Sequence, residues 1–176
     1  MVSPGHNSQG ALNLNGNQAI VAALEDTRFH LGWYLADFSE EEMFVRPHPR
    51  ANHAAWQVGN ICLAEVNMIA EEIPDSSYPS LPEGFLSRHG TGVPEDGPDG
   101  YLTKAAFLAL FEKIRANTIR LVEGLTETDL DRPCSGSMKD YAPTWGKLLI
   151  LTSNHTLMHG GQIQVIRRVL GKPHLF

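Results

Sequence analysis

Cysteine, long apolar runs and basic clusters are all scarce in this sequence. Its 176 residues include only two cysteines, Cys62 and Cys134, too few for a framework of several disulfides. We therefore expect a reducing, cytoplasmic compartment, with Cys62 packed as a small apolar side chain. No apolar run has the length of a membrane helix, and the N-terminus lacks the basic and apolar regions of a signal peptide. The chain is expected to be soluble and to have no membrane partner.

Positive charge is also sparse, which excludes another class of partner. The formal net charge is −6, and lysine and arginine form no long runs. Because phosphate binding requires a clustered basic surface, we expect no nucleic-acid partner. Apolar residues make up 42% and charged residues 19% of the chain, as in an ordinary folded domain. We predict one domain over residues 16–176, after a flexible N-terminal tail of residues 1–15 that is rich in Gly, Asn and Ser.

Strand-like alternation is absent, and helical periodicity takes its place. Apolar residues recur at helical spacing over residues 17–38, 52–73, 103–121 and 144–170. A loop rich in proline and glycine, residues 74–102, separates the second and third segments, and a loop of this length can form a lid or rim over a site. The pattern predicts an all-α fold, an up-down four-helix bundle with a long loop between helices two and three.

The last predicted helix carries two histidines that are four residues apart. At this spacing His155 and His159 lie on the same face, one turn apart, and this face also carries Leu148 and Ile166. The two rings are therefore predicted to face the core, where they can share one ion at about 2.0–2.1 Å if the ion is zinc. Because core histidines bonded to protein groups are also common, spacing and facing alone leave metal binding and a structural role equally open.

The residues after this pair add a second signal. Gly160 and Gly161 stand in the middle of the predicted helix, where each costs about 1 kcal/mol relative to alanine. This cost indicates close approach of either a ligand or a neighbouring helix. Gln162 is a candidate for a hydrogen bond to a group behind the ligands, or it faces one end of the bundle.

The segment His155-x3-His159-x-Gly161-Gln162, with the Ile-x2-Ile-Arg-Arg-x-Leu-Gly run that follows, resembles the DinB-like (YfiT-like) superfamily of metalloenzymes. The resemblance covers about residues 17–172 and includes Ala55-Trp56 and Gly59-Asn60-Ile61 in the second helix. It implies a four-helix bundle that is often a homodimer. It also implies a divalent metal ion, such as zinc, nickel, iron or manganese, held by three histidines, one from helix two and two from helix four.

The helix-four pair of this motif corresponds to His155 and His159. The helix-two position, four residues after the tryptophan, is Asn60 instead of histidine. Because an amide oxygen is a weaker and harder ligand than imidazole, the third ligand stays open. We rank Asn60 first and His30 of helix one second. A solvated Asn60 and a site without a third protein ligand are the alternatives.

Other polar residues are predicted to lie away from the site. His53 is seven residues before Asn60, too far along the helix axis to share its ion. His48 and His89 are in predicted loops and are expected to be solvated. Glu65 is predicted on the solvated side of helix two.

An open metal site can activate a bound water or deprotonate a bound thiol. The resemblance implies relatives that transfer low-molecular-weight thiols, and a small-molecule substrate of this class is expected here. Three hypotheses follow: a metal-dependent thiol transferase or hydrolase, a metal-free bundle that binds a small molecule, and a structural, stress-associated dimer. No general base is evident beside the histidines, so catalytic residues beyond the ligands are unassigned, although the loop of residues 74–102 is a possible source.

Overall fold

The structure, a computed structural model, describes residues 14–92 and 96–175. Residues 1–13 of the predicted tail lie outside the described residues. Four long helices, α1 (Gly16–Leu35), α2 (Ala54–Glu72), α4 (Lys104–Gly124) and α6 (Trp145–Val169), form the bundle. Two short helices, α3 (Phe85–His89) and α5 (Glu127–Leu130), lie in the connections, and a 3-10 turn spans Glu41–Phe44. No helix within the described ranges combines the length and hydropathy that crossing a membrane requires. The predicted all-α helical bundle is confirmed.

Side-chain caps set where the long helices begin. Thr103 and Thr144 each accept a hydrogen bond from the backbone N–H three residues further on, which places the starts of α4 and α6 where the sequence predicted them. α2 begins at Ala54, just inside the predicted segment of residues 52–73, because His53 is its N-cap. The His53 side chain accepts the backbone N–H of Trp56.

Two clusters of core residues define the directions of the four long helices. One cluster consists of residues from the C-terminal halves of α1 and α6 and the N-terminal halves of α2 and α4. The other cluster consists of residues from the opposite half of each helix. α1 and α6 therefore run in one direction and α2 and α4 in the other. Consecutive helices are antiparallel in the pairs α1–α2 and α4–α6. α2 and α4 run in the same direction, because the long connection between them returns along the bundle to the end where α2 began.

A buried ion pair lies between these two clusters. Glu65 of α2 is 1% exposed and Arg115 of α4 is 0% exposed, and the guanidinium donates to both carboxylate oxygens at 2.9–3.2 Å. Arg115 also donates to the Leu24 carbonyl at 2.9 Å and to the Thr156 hydroxyl at 2.8 Å. The prediction that Glu65 is solvated is wrong, because a partner from α4 allows its charge to be buried.

Close helix packing explains only one of the two adjacent glycines of α6. A Cβ atom on Gly160 would lie 3.0 Å from the ring of Tyr34 on α1, so a neighbouring helix makes the close approach there. At Gly161 an added Cβ would meet no atom within 4 Å among the residues that the structure describes. Packing against these residues therefore does not require the second glycine.

We expect Gly59 and Gly161 to respond in opposite directions to the same substitution. A Cβ atom on Gly59 would lie 2.1 Å from Nδ1 of the buried His89, so Gly59→Ala should destabilise the protein by about 1–3 kcal/mol. Gly161→Ala should stabilise it by up to about 1 kcal/mol, because alanine is the better helix former at an open position. Urea unfolding of both variants measures the difference, and equal effects would contradict the contact between His89 and α2.

Candidate metal site

Helix α6 brings its two histidines together at the boundary between core and surface. His159 is 3% exposed and faces the interior as predicted, while His155 is half-buried one turn before it. Their Nε2 atoms are 3.1 Å apart, and the ring planes are nearly perpendicular. The two Nε2 atoms are therefore close enough to bind the same ion.

Helix α2 adds the side chain of Asn60 to this pair. Its Oδ1 atom lies 3.0 Å from Nε2 of His159. Its Nδ2 atom donates to the carbonyl oxygens of His89 at 2.7 Å and Gly90 at 3.2 Å. Because a backbone carbonyl only accepts hydrogen bonds, the amide nitrogen must face these two groups and the amide oxygen must face His159. Asn60 is half-buried and occupied by protein contacts, so the solvated alternative is wrong.

The other ring nitrogen of His159 is held by a residue that sequence reasoning missed. Nδ1 of His159 is hydrogen-bonded to Oε1 of the buried Gln57 on α2. Nε2 of Gln57 donates to Oε1 of Gln162 at 2.7 Å and to the Asn52 carbonyl at 3.2 Å. The available signal was a glutamine in the mostly apolar first turns of α2, three residues before Asn60. Gln162, by contrast, bonds to Gln57 behind His159, which is the first of the two placements that the sequence allowed.

Burial keeps both histidines uncharged. It lowers the pKa of His159 to about 3, with His155 adding a smaller repulsion, and it also lowers the pKa of His155. Both rings are therefore neutral at physiological pH. Neutral imidazole is the form that binds metal ions, because a protonated nitrogen has no lone pair to donate.

Comparison with known proteins places this arrangement in a family. The DinB superfamily profile matches residues 23–163, most of the chain. The chain belongs to the DinB superfamily. A conserved protein from Enterococcus faecalis has a similar crystal structure, with a TM-score of 0.60 and 14% identity over 91% of this chain and 100% of that chain. At this identity the likeness shows the fold alone. No curated protein sequence matches the chain.

DinB proteins are generally metal-binding. Within residues 14–92 and 96–175 no three His, Cys, Asp or Glu side chains form a group that could hold a metal. The donor atoms found here are two imidazole nitrogens and one amide oxygen. Nε2 of His159 lies 3.0 Å from Oδ1 of Asn60 and 3.1 Å from Nε2 of His155. Nitrogen and neutral oxygen donors suit divalent ions of the first transition row. The residues present therefore fit the metal that the DinB family implies.

The second-ranked ligand candidate does not join this donor set. His30 is half-buried on α1, where its ring packs against Trp33 and Tyr34 of the same helix. His53 caps α2 and is buried, and His48 is exposed, as expected. Asn60 is therefore the residue that the structure brings to His155 and His159.

The expectation for His89 is wrong. His89 ends the short helix α3 and is 1% exposed, packed between Phe85 and Phe107 and against Gly59. Burial lowers its pKa to about 4. The long connection thus contributes the backbone carbonyl of His89 to the site, through Asn60, while the imidazole of His89 packs into the core.

Proposed function

We propose that this DinB protein binds a divalent metal ion, zinc, nickel, iron or manganese, through His155, His159 and Asn60. We further propose that it is a metal-dependent enzyme that acts on a small molecule by thiol transfer or hydrolysis. The observation that carries the proposal is that Nε2 of His159 lies 3.0 Å from Oδ1 of Asn60 and 3.1 Å from Nε2 of His155. Two backbone carbonyls hold the amide of Asn60 with its oxygen toward the histidines.

The chemistry of such a site follows from its donor count. An ion held by three protein ligands would keep open positions and would make a bound water or thiol acidic near neutral pH. The chain supplies neutral ligands in a partly buried place, which would limit the access of bulk water to an ion held there. Trp56 of α2 has its ring centroid 6.2 Å from that of His159 and packs beside this ligand.

The cysteines of the chain support an external thiol rather than a cysteine nucleophile. Cys62 and Cys134 are both buried and unpaired. Burial raises the pKa of both thiols, so neither is a ready thiolate at neutral pH. If the reaction uses a thiol, it enters with the substrate. A homodimer and a cytoplasmic location stay predictions of the sequence.

The first test is metal content and affinity in the parent protein and in two variants at Asn60. We expect about one zinc per chain by elemental analysis after loading with Zn²⁺. Asn60→Ala should weaken Zn²⁺ binding, and Asn60→His should strengthen it, because imidazole is the better ligand for this ion. A competition titration against a chromophoric chelator measures all three affinities.

The same three proteins separate the proposal from the metal-free alternative. If the parent takes up no metal and only Asn60→His does, the chain is a metal-free bundle. If Asn60→Ala and the parent bind Zn²⁺ equally well, Asn60 is not a ligand. Circular dichroism of each variant checks that the fold is retained.

A further inference from the structure

Two amide side chains hold His159 from opposite sides. Oε1 of Gln57 faces Nδ1 of the ring, and Oδ1 of Asn60 faces Nε2. A 180° rotation of either amide group would break its hydrogen bonds to backbone carbonyls. The nitrogen of Gln57 is held by the Asn52 carbonyl, and the nitrogen of Asn60 is held by the His89 and Gly90 carbonyls. Both sides of the imidazole therefore meet a group that can only accept a hydrogen bond.

A neutral imidazole has one N–H, so the two acceptors compete for one proton. With the proton on Nδ1, the bond to Gln57 is made and the lone pair of Nε2 faces the oxygen of Asn60. With the proton on Nε2, the bond to Asn60 is made and the lone pair of Nδ1 faces the oxygen of Gln57. A cation bound at Nε2 relieves the repulsion in the first form and is excluded from the second.

We propose that Gln57 is a positioning residue that holds the proton of His159 on Nδ1 and so keeps Nε2 and the Asn60 oxygen available to a metal ion. This inference rests on the proposed metal site and adds the reason that the site stays open. His155 supports the same form, because its Nε2 atom lies 3.1 Å from Nε2 of His159 and can donate to it when no ion is bound. Without Gln57, the proton moves to Nε2, bonds to Asn60 and closes the site.

Gln57→Met tests this directly, because methionine has a similar volume but no strong acceptor. In ¹⁵N-labelled, metal-free protein, long-range ¹H–¹⁵N NMR should find the proton of His159 on Nδ1 in the parent and on Nε2 in Gln57→Met. Titration with Zn²⁺ should find an affinity about 10–100-fold lower in Gln57→Met, the usual cost of losing such a partner. Gln57→Glu keeps an acceptor at this place and should keep the proton on Nδ1.

Gln162→Met is the matched control, because it removes a glutamine from the same hydrogen-bond chain but leaves the contact between Gln57 and His159. It should leave the proton on Nδ1. The proposal is overturned if the parent carries the proton on Nε2, or if Gln57→Met leaves it on Nδ1. If Gln57→Met does not fold, a proton on Nε2 in the parent or in Gln57→Glu still overturns the proposal. If the parent binds no Zn²⁺, the metal site fails, while the proton position in the metal-free protein still decides the role of Gln57.

Discussion

Replacing His159 with alanine should abolish Zn²⁺ binding. Nε2 of His159 is the central donor atom, 3.0 Å from the oxygen of Asn60 and 3.1 Å from Nε2 of His155. Without this nitrogen, only Asn60 and His155 remain as ligands, and both of their donor atoms lose the donor atom next to them. Loss of a supporting hydrogen bond already costs about 10–100-fold in affinity, so loss of the ligand itself should exceed about 100-fold.

The matched control for this prediction is His48→Ala. His48 is exposed and lies outside the bundle core, so its removal should leave Zn²⁺ affinity unchanged. His155→Ala should also weaken binding strongly. Competition titrations of the three variants give the affinities. Equal Zn²⁺ affinity in His159→Ala and the parent would place the ion elsewhere and remove the proposed site.

The local parts of this architecture could be predicted because their causes are local. Threonine caps at Thr103 and Thr144 and apolar periodicity fix where α4 and α6 begin. The i, i+4 spacing of His155 and His159 puts both rings on one face whatever the rest of the chain does. The family resemblance added Asn60 as a candidate through its position after Trp56, and the structure brings it to the histidines.

The parts that could not be predicted depend on partners far away in the chain. The orientation of Asn60 is set by carbonyls 29 and 30 residues later, and Gln57 meets His159 across 102 residues. Glu65 was assigned to solvent because its own helix gives no hint of Arg115, 50 residues away. Helical periodicity describes one helix at a time, so it cannot tell which polar residue a neighbouring helix will satisfy.

The largest expected effect on stability comes from that buried ion pair. Glu65→Gln removes the negative charge but keeps the shape, which leaves the guanidinium of Arg115 buried without a counter-ion. We expect the free energy of unfolding to fall by about 3–5 kcal/mol, a large share of the about 5–15 kcal/mol that stabilises a domain. Urea unfolding followed by circular dichroism measures this change.

The exposed ion pair between Arg28 and Glu112 provides the matched control. Its side chains are 41% and 44% exposed, so Glu112→Gln should cost less than about 1 kcal/mol. Similar losses in Glu112→Gln and Glu65→Gln would mean that burial does not govern the effect of the charge. The two substitutions share the same chemistry and differ in where the carboxylate lies.

Replacing both buried charges separates the stability of the bundle from the geometry of the site. Glu65→Leu combined with Arg115→Met removes two desolvated charges together, so its loss should be much smaller than that of Glu65→Gln. The double variant also removes the hydrogen bond from Arg115 to Thr156, which lies on α6 between His155 and His159 in the sequence. A stable double variant with weakened Zn²⁺ binding would assign the ion pair a part in holding this turn of α6. Unchanged Zn²⁺ affinity would mean that the ion pair stabilises the core but does not hold the ligands in place.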